Sequence, residues 1–226
     1  MYTKDKWLSD QFRHNIYNFK KLDIKSINKI DKLYPKNFIF FKTNNLNKNK
    51  EILKKLNFYL VEKSILFCLK INKKFRFNEN CRLVTKKDKK EILNLAKKSF
   101  IYSRFFQDKN IDKKIAEKVK VNWLKNYFLG KRGSKIIVHE INGKLSGFIL
   151  LIYNKKNLFI DLIAVNKKLR GNNIGSLLIE SSINFYKKCK YIYAGTQLAN
   201  KASINFYKKN KFIVVKKSYT FHRYNK

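Results

Sequence analysis

The stretch Asp161-Leu-Ile-Ala-Val165, then Arg170-Gly-Asn-Asn-Ile-Gly175, then a helix-forming run to Lys188, constrains this chain more than any other. An apolar strand runs into a turn carrying an arginine, two glycines and two asparagines, and an amphipathic helix follows. That order builds an anion site, because a helix N-terminus presents N–H groups without intrahelical partners and a partial positive charge. Gly171 and Gly175 lack the Cβ atoms that would hold a phosphate off the backbone. A phosphate-bearing cofactor is therefore expected against this turn.

The 226 residues, 44% of them hydrophobic, suffice for one good core and a small second domain. No apolar run approaches the roughly 18 residues of a membrane span. Met1-Tyr-Thr-Lys-Asp-Lys-Trp7 lacks the apolar centre of an export signal, so a cytoplasmic location is expected. Cys68, Cys81 and Cys189 match neither a zinc pattern nor a disulfide framework and read as small apolar residues. No His/Cys/Asp/Glu cluster has ligand spacing, so no metal is expected. The formal charge of +38 invites a polyanion as partner. Yet the lysines are spread along the whole chain and far outnumber the arginines, whereas base-edge and bidentate phosphate recognition prefers arginine. Nucleic acid is thus not the expected partner, and the charge helps instead to attract an anionic small substrate.

Composition shifts near residues 71–80 divide the chain into a small N-terminal α/β domain, 1–77, and a larger domain, 78–226. In the first, 37–42 and 58–69 read as strands and 49–56 as a short helix. In the second, Cys81 to Thr85 reads as a strand, and Asp88 caps a helix running to about Phe100. A helix follows over 111–128. Next come a hairpin over 136–153 turning at Asn142-Gly143, a strand over 157–165, the helix of the opening motif, a strand over 191–195 and a helix over 199–209. Residues 212–215 and 218–224 read as a closing hairpin. The strand-helix-strand piece over 157–197 must be a parallel crossover. The rest is largely antiparallel, which gives an α/β fold with a mixed sheet.

This element order, with residues 161–175, resembles the GCN5-related N-acetyltransferases (GNAT). Their cofactor signature is Arg or Gln, two residues, Gly, one residue, then Gly or Ala. It stands here as Arg170-Gly-Asn-Asn-Ile-Gly175, with Asn173 in place of the first signature glycine. Asn tolerates left-handed backbone angles better than most residues. The resemblance covers about residues 81–226 and implies the GNAT acyl-CoA N-acyltransferase fold, with acetyl-CoA as cofactor. A narrower resemblance lies in Gly195-Thr-Gln197, Asn200, Ala202, Phe206-Tyr207, Lys211-Phe212 and Phe221-His-Arg-Tyr224. These are similar to N-acetyltransferases of nucleotide-linked amino sugars, of the dTDP-fucosamine (dTDP-4-amino-4,6-dideoxygalactose) type, which carry an N-terminal α/β extension of about this size. Ser103-Arg-Phe105, Asp108 and Trp123 are similar to their substrate-side helices.

The resemblance implies the following roles. The strands over 159–165 and 191–196 splay past the crossover, and Leu162, Ile163, Ala164 and Val165 contact pantetheine in the cleft. Arg170, Gly171, Asn172, Asn173, Ile174, Gly175 and Ser176 wrap the pyrophosphate. Asn200 contacts pantetheine or caps its helix. Tyr207 protonates the departing thiolate, or else is a core aromatic beside Phe206. Arg104, Gln197 and His222 contact the acceptor. His222 is also the side-chain candidate for general base, against a structural histidine or a simple water chain. Asp161 shares that ambiguity, and His14 and His139 have no supporting context. The expected reaction is direct attack of a nucleotide-linked amino-sugar amine on the thioester in a ternary complex, for glycan synthesis. Alternatives are a protein N-terminus or another small amine. A polycation such as spermidine is disfavoured by like charge. A basic polyanion-binding or nucleic-acid-binding protein on a GNAT-like scaffold is a different class, against which the intact loop and Tyr207 argue. Assembly as a homodimer is left open.

Overall fold

A computed structural model describes the chain except residues 73, 74, 76, 77, 98, 100 and 226. Its first half begins with two short strand-helix units: β1 (Tyr2–Lys4), α1 (Lys6–Phe12), β2 (Asn15–Phe19) and α2 (Ile24–Leu33). Each helix starts on an aspartate whose carboxylate accepts a first-turn N–H, Asp5 from Leu8 at 2.9 Å and Asp23 from Ser26 at 3.0 Å. Then come β3 (Asn37–Thr43), α3 (Lys50–Lys55) and β4 (Tyr59–Lys70). The second half runs β5 (Cys81–Leu83), α4 (Lys89–Lys97), α5 (Arg104–Gln107), α6 (Lys113–Phe128), β6 (Lys135–Ile141) and β7 (Lys144–Asn154). It closes with β8 (Asn157–Val165), α7 (Ile174–Phe185), β9 (Tyr191–Gln197), α8 (Lys201–Lys209) and β10 (Ile213–Asn225). The β6–β7 turn uses positive φ at both Asn142 (50°) and Gly143 (70°), as a tight two-residue hairpin requires. The lead-in to α4 differs from expectation in detail. Thr85 is the capping residue, and Asp88 reaches back to its N–H at 2.6 Å.

Among the described residues the strands form one ten-stranded sheet in the order β1-β2-β3-β10-β4-β9-β8-β7-β6-β5. The pairs β2–β3 and β8–β9 are parallel and the others antiparallel. Strands from both sides of the expected domain boundary share this sheet, because β10 lies between β3 and β4, and β4 lies against β9. Four apolar clusters fill the two faces. Helices α7 and α8 cover Phe67, Leu158, Ile160, Ile192 and Ala194 on one face. Helices α4 and α6 cover Phe148, Leu150, Leu162 and Ala164 on the other. Towards the N-terminal strands, α1, α5 and α6 pack on Phe38 and Phe40, while α2 and α3 pack on Ile39, Phe41 and Phe221. Each such fully buried side chain contributes about 1.5–3 kcal/mol. Cys68, Cys81 and Cys189 are buried free thiols.

One expected element is corrected. Residues 212–224 do not form a hairpin but the single long strand β10, with a register shift between Val214 and Lys216. No Gly, Pro or Asn stands there to make a turn. Residues 213–218 pair only with β4, so Lys216 and Lys217 sit on an open stretch of strand where lysine is tolerated.

Candidate active site

The site begins with a single inserted residue. Along β7–β8, Leu150 pairs with Leu162 and Leu151 with Ile160, which leaves Asp161 as the extra residue of a bulge. Its carboxylate turns to α6 and the segment after it. There it accepts from Trp123 Nε1 (2.7 Å), Tyr127 OH (2.8 Å), and Arg132 Nε and Nη2 (2.8 Å each). Burial opposes the charge of Asp161, but Arg132, with Trp123 and Tyr127 donating, outweighs it and holds the carboxyl below its usual range. Arg132 also stacks on Trp123, 3.9 Å above the ring. Bulge and anchor together turn β8 away from β9. The two strands pair in parallel only from Asn157–Tyr191 to Ile160–Ala194. Beyond that point β8 follows β7 to Val165 and β9 follows β4 to Gln197.

The splay opens a cleft of about 1330 Å³, lined by both diverging strands, the 166–176 loop, α8, and side chains of α4 and α6. That exceeds the roughly 300–1,000 Å³ of a usual small-ligand site and leaves room for two reactants. At its floor, Asn173 starts α7 in the left-handed region (φ 59°), which Asn tolerates better than most residues. Gly171 also has positive φ (94°). The first hydrogen bonds of α7 are Ser176 and Leu177 N–H to Asn173 O, at 3.0 and 3.1 Å. The amides of Ile174 and Gly175 therefore precede the helical ladder and are free to meet an anion. Lys167, Lys168, Arg170 and Lys209 add positive charge around the same floor.

The structure gives the two glycines of this turn different reasons. A Cβ on Gly171 would meet nothing, so its positive φ is what matters. A Cβ on Gly175 would lie 2.7 Å from Phe206 Cε2. Gly175 thus allows α7 to approach α8, a packing reason beside the phosphate approach expected of it.

Leu162, Ile163, Ala164, Val165, Arg170, Gly171, Asn173, Ile174, Gly175, Ser176, Gln197, Asn200 and Tyr207 all line the cleft. Asn172 does not; its amide ties the loop to Leu169 O at 3.4 Å. Asn200 Oδ1 caps α8 by accepting from Ser203 N–H at 3.1 Å, which leaves its two amide hydrogens for a ligand. Tyr207 lies in an aromatic nest of Phe67, Phe206 and Phe212, with ring centroids 5.2–5.4 Å away. Burial raises its pKa well above the ordinary phenol value, so it stays protonated.

Arg104 and His222 lie behind the cleft wall rather than in it. The Arg104 guanidinium stacks on Phe40 at 4.0 Å; burial lowers its pKa to about 10, which leaves it charged. His222 is 0% exposed between β3 and β4. A carboxylate only accepts, so His222 Nδ1–H donates to Asp108 Oδ2 at 2.6 Å. Tyr59 OH and Asn110 N–H donate to the same carboxylate. Burial pushes His222 down to about 4 against the pull of Asp108. The packing therefore does not bring His222 to the reacting groups as a base or an acceptor contact. Asp161 is spent as an anchor and is equally unsuited to take a proton.

Sequence reading missed Glu62, Lys120 and the Arg132 anchor. Lys120 lines the cleft from α6, one helical turn before Trp123, and burial pushes it down to about 8 despite the attraction of Asp161. The visible signal was Asp161 itself, an acid in an otherwise apolar strand. Such a residue demands a buried cation.

A helix start with free amides behind two splayed parallel strands stands inside this strand order. Residues 91–212 match the acetyltransferase (GNAT) family. The chain belongs to the GNAT family. GNAT proteins transfer acetyl from acetyl-CoA to amines. A curated relative is the spore coat polysaccharide biosynthesis protein SpsD of Bacillus subtilis (strain 168), 30% identical over 115 residues. The match spans 50% of this chain and 39% of SpsD, well under two thirds of that relative's length. The GNAT fold is shared with a functionally unknown conserved protein from Staphylococcus epidermidis (TM-score 0.65, 14% identity, 92% of this chain and 84% of that one). It is also shared with a GNAT protein from Sphaerobacter thermophilus (TM-score 0.62, 9% identity, 96% and 74%). A tandem GNAT protein of clavulanic acid biosynthesis is similar as well (TM-score 0.61, 10% identity, 93% and 75%). Among the described residues no helix is long and apolar enough to cross a membrane.

Proposed function

We propose that this chain acetylates the amine of a nucleotide-linked amino sugar by direct attack within a ternary complex. The carrying observation is the single cleft that runs from the α7 N-terminus, past the splay, to Ser103, Lys120, Trp123 and Gln197. Both reactants fit in it at once. Among the described residues lining it there is no cysteine, and no histidine stands there to activate its serines, which favours direct attack over an acyl-enzyme.

The residues fit acetyl-CoA. The outward amides of Ile174 and Gly175 and the cations around them suit a pyrophosphate, and the unpaired inner edges of 161–165 and 195–197 suit an extended amide chain. Acetyl-CoA held there supplies the activated acyl carbon. The free β8 edge then offers backbone N–H groups near Leu162 to Ala164 to a developing oxyanion. Tyr207 holds its proton at the α8 side of the same cleft and can give it to a leaving sulfur. The apolar nest that raises Tyr207 would raise the pKa of a thiol held beside it as well. The amine's own proton leaves through water.

Lys120 and the overall +38 charge favour an acceptor with anionic groups, as a sugar nucleotide has. The polysaccharide-biosynthesis name of SpsD supports the same class. Thiol release with dTDP- and UDP-linked amino sugars tests the proposal, and turnover with peptides alone would refute it.

A further inference from the structure

Gln197 stands past the last residue of β9 that pairs with β8, and its Nε2 donates to Glu62 Oε2 of β4 at 3.0 Å. The register brings the two together. Gln197 lies opposite Ser64, so Glu62 is its diagonal neighbour on the same face, within reach of long side chains. A carboxylate only accepts. The amide must therefore turn its NH₂ group to Glu62, which leaves Oε1 for whatever enters the cleft that Gln197 lines. Glu62 is also the anion shared by three cations. Its attraction opposes the loss of charge that burial imposes on Lys42, Arg104 and Lys120. The other carboxylate at this end of the cleft, Asp161, has its oxygens taken by Trp123, Tyr127 and Arg132.

We propose that Glu62, acting through Gln197, builds the amine subsite of the cleft. Glu62 fixes the amide so that Gln197 Oε1 accepts an N–H of the acceptor's primary amine, while Lys120 faces its anionic part. Glu62 is a positioning residue in this scheme, and Gln197 the contact. The proposal rests on the amine-acceptor reading above and narrows it to a primary amine on an otherwise anionic molecule.

The test uses the full chain, with a thymidine-diphosphate hexose carrying an amine at C4 as acceptor and its C4-hydroxyl counterpart as inhibitor. Losing one hydrogen bond to an amine corresponds to about tenfold in affinity. Glu62→Gln and Gln197→Leu should each raise the acceptor KM about tenfold, with acetyl-CoA affinity by calorimetry unchanged. Glu62→Asp, which keeps the charge, should recover part of the loss. The double variant should be no worse than Gln197→Leu alone. Glu62→Gln should also erase the preference for the amine over the hydroxyl compound. An acceptor KM for Glu62→Gln within twofold of wild type, or effects that multiply in the double variant, would overturn the proposal. If wild type acetylates another amine but not the sugar, the sugar reading falls and the same four variants are measured with that amine. If wild type acetylates no amine, both fall.

Discussion

Gly175→Ala separates the packing account of the signature loop from a phosphate-approach account. Replacing a helical glycine by alanine ordinarily stabilises by about 0.5–1 kcal/mol. Here the new Cβ would lie 2.7 Å from Phe206 Cε2 and 2.9 Å from Cζ. Carbon contacts prefer about 3.5–4.0 Å, so the ring must retreat by about 1 Å. Overpacking of that size costs about 1–3 kcal/mol, which exceeds the propensity gain. Phe206 is half-buried and lines the cleft, so it retreats into cofactor space. Urea unfolding should show a net loss of about 1–2 kcal/mol, with acetyl-CoA affinity lower by about tenfold in calorimetry. Gly175→Ala with Phe206→Leu should restore both, because the shortened side chain clears the new methyl. A Gly175→Ala protein as stable as wild type with unchanged acetyl-CoA affinity would refute this reasoning. A double variant that recovers stability but not affinity would return Gly175 to the phosphate.

Tyr207→Phe should lower kcat by about 10²-fold or more with acetyl-CoA affinity little changed, in stopped-time thiol-release assays. Wild-type turnover would remove Tyr207 from the chemistry. Asp161→Asn strips the buried counter-charge from Arg132, whose side chain is one-third exposed and so can partly re-solvate. The loss should be about 2–4 kcal/mol by urea unfolding, with activity falling as the splay relaxes; unchanged stability would discount the anchor. His222 gives a pH signature. Its folded pKa, about 4, lies below the unfolded value of about 6.5, so between these pH values the unfolded chain binds more protons. Stability is then complete above about pH 6.5 and falls as pH drops towards 4, by on the order of 3 kcal/mol at most. The slope should vanish in His222→Asn, measured by urea midpoints at several pH values, and a slope equal to wild type would refute the assignment.

The second half of the fold was legible because its signals are local and mutually consistent. An Asn-Gly turn, a strand meeting a glycine turn before a helix, and a crossover of fixed hand leave little freedom. Residues 1–36 gave no such reading. Their strands are three and five residues long and their helices start on single aspartates, signals too short for periodicity to register. The false hairpin at 212–224 came from reading Lys216-Lys217 as a turn, when an unpaired strand edge tolerates the same residues. In the site, the loop residues and Tyr207 were legible because chain order places them. Glu62 was not, since its role depends on a diagonal contact between strands 135 residues apart in sequence. His222 was singled out by residue type alone, whereas its ring's partners, Asp108, Phe38 and Tyr59, come from distant parts of the chain.

Acetyl transfer to a primary amine on a nucleotide-linked sugar is the activity proposed for this cleft. Thiol release from acetyl-CoA, followed in parallel with nucleoside-diphosphate amino sugars, peptides and polyamines, tests it most directly. Saturable turnover is expected with an amino sugar and none with polyamines. Turnover confined to peptides or polyamines would contradict it.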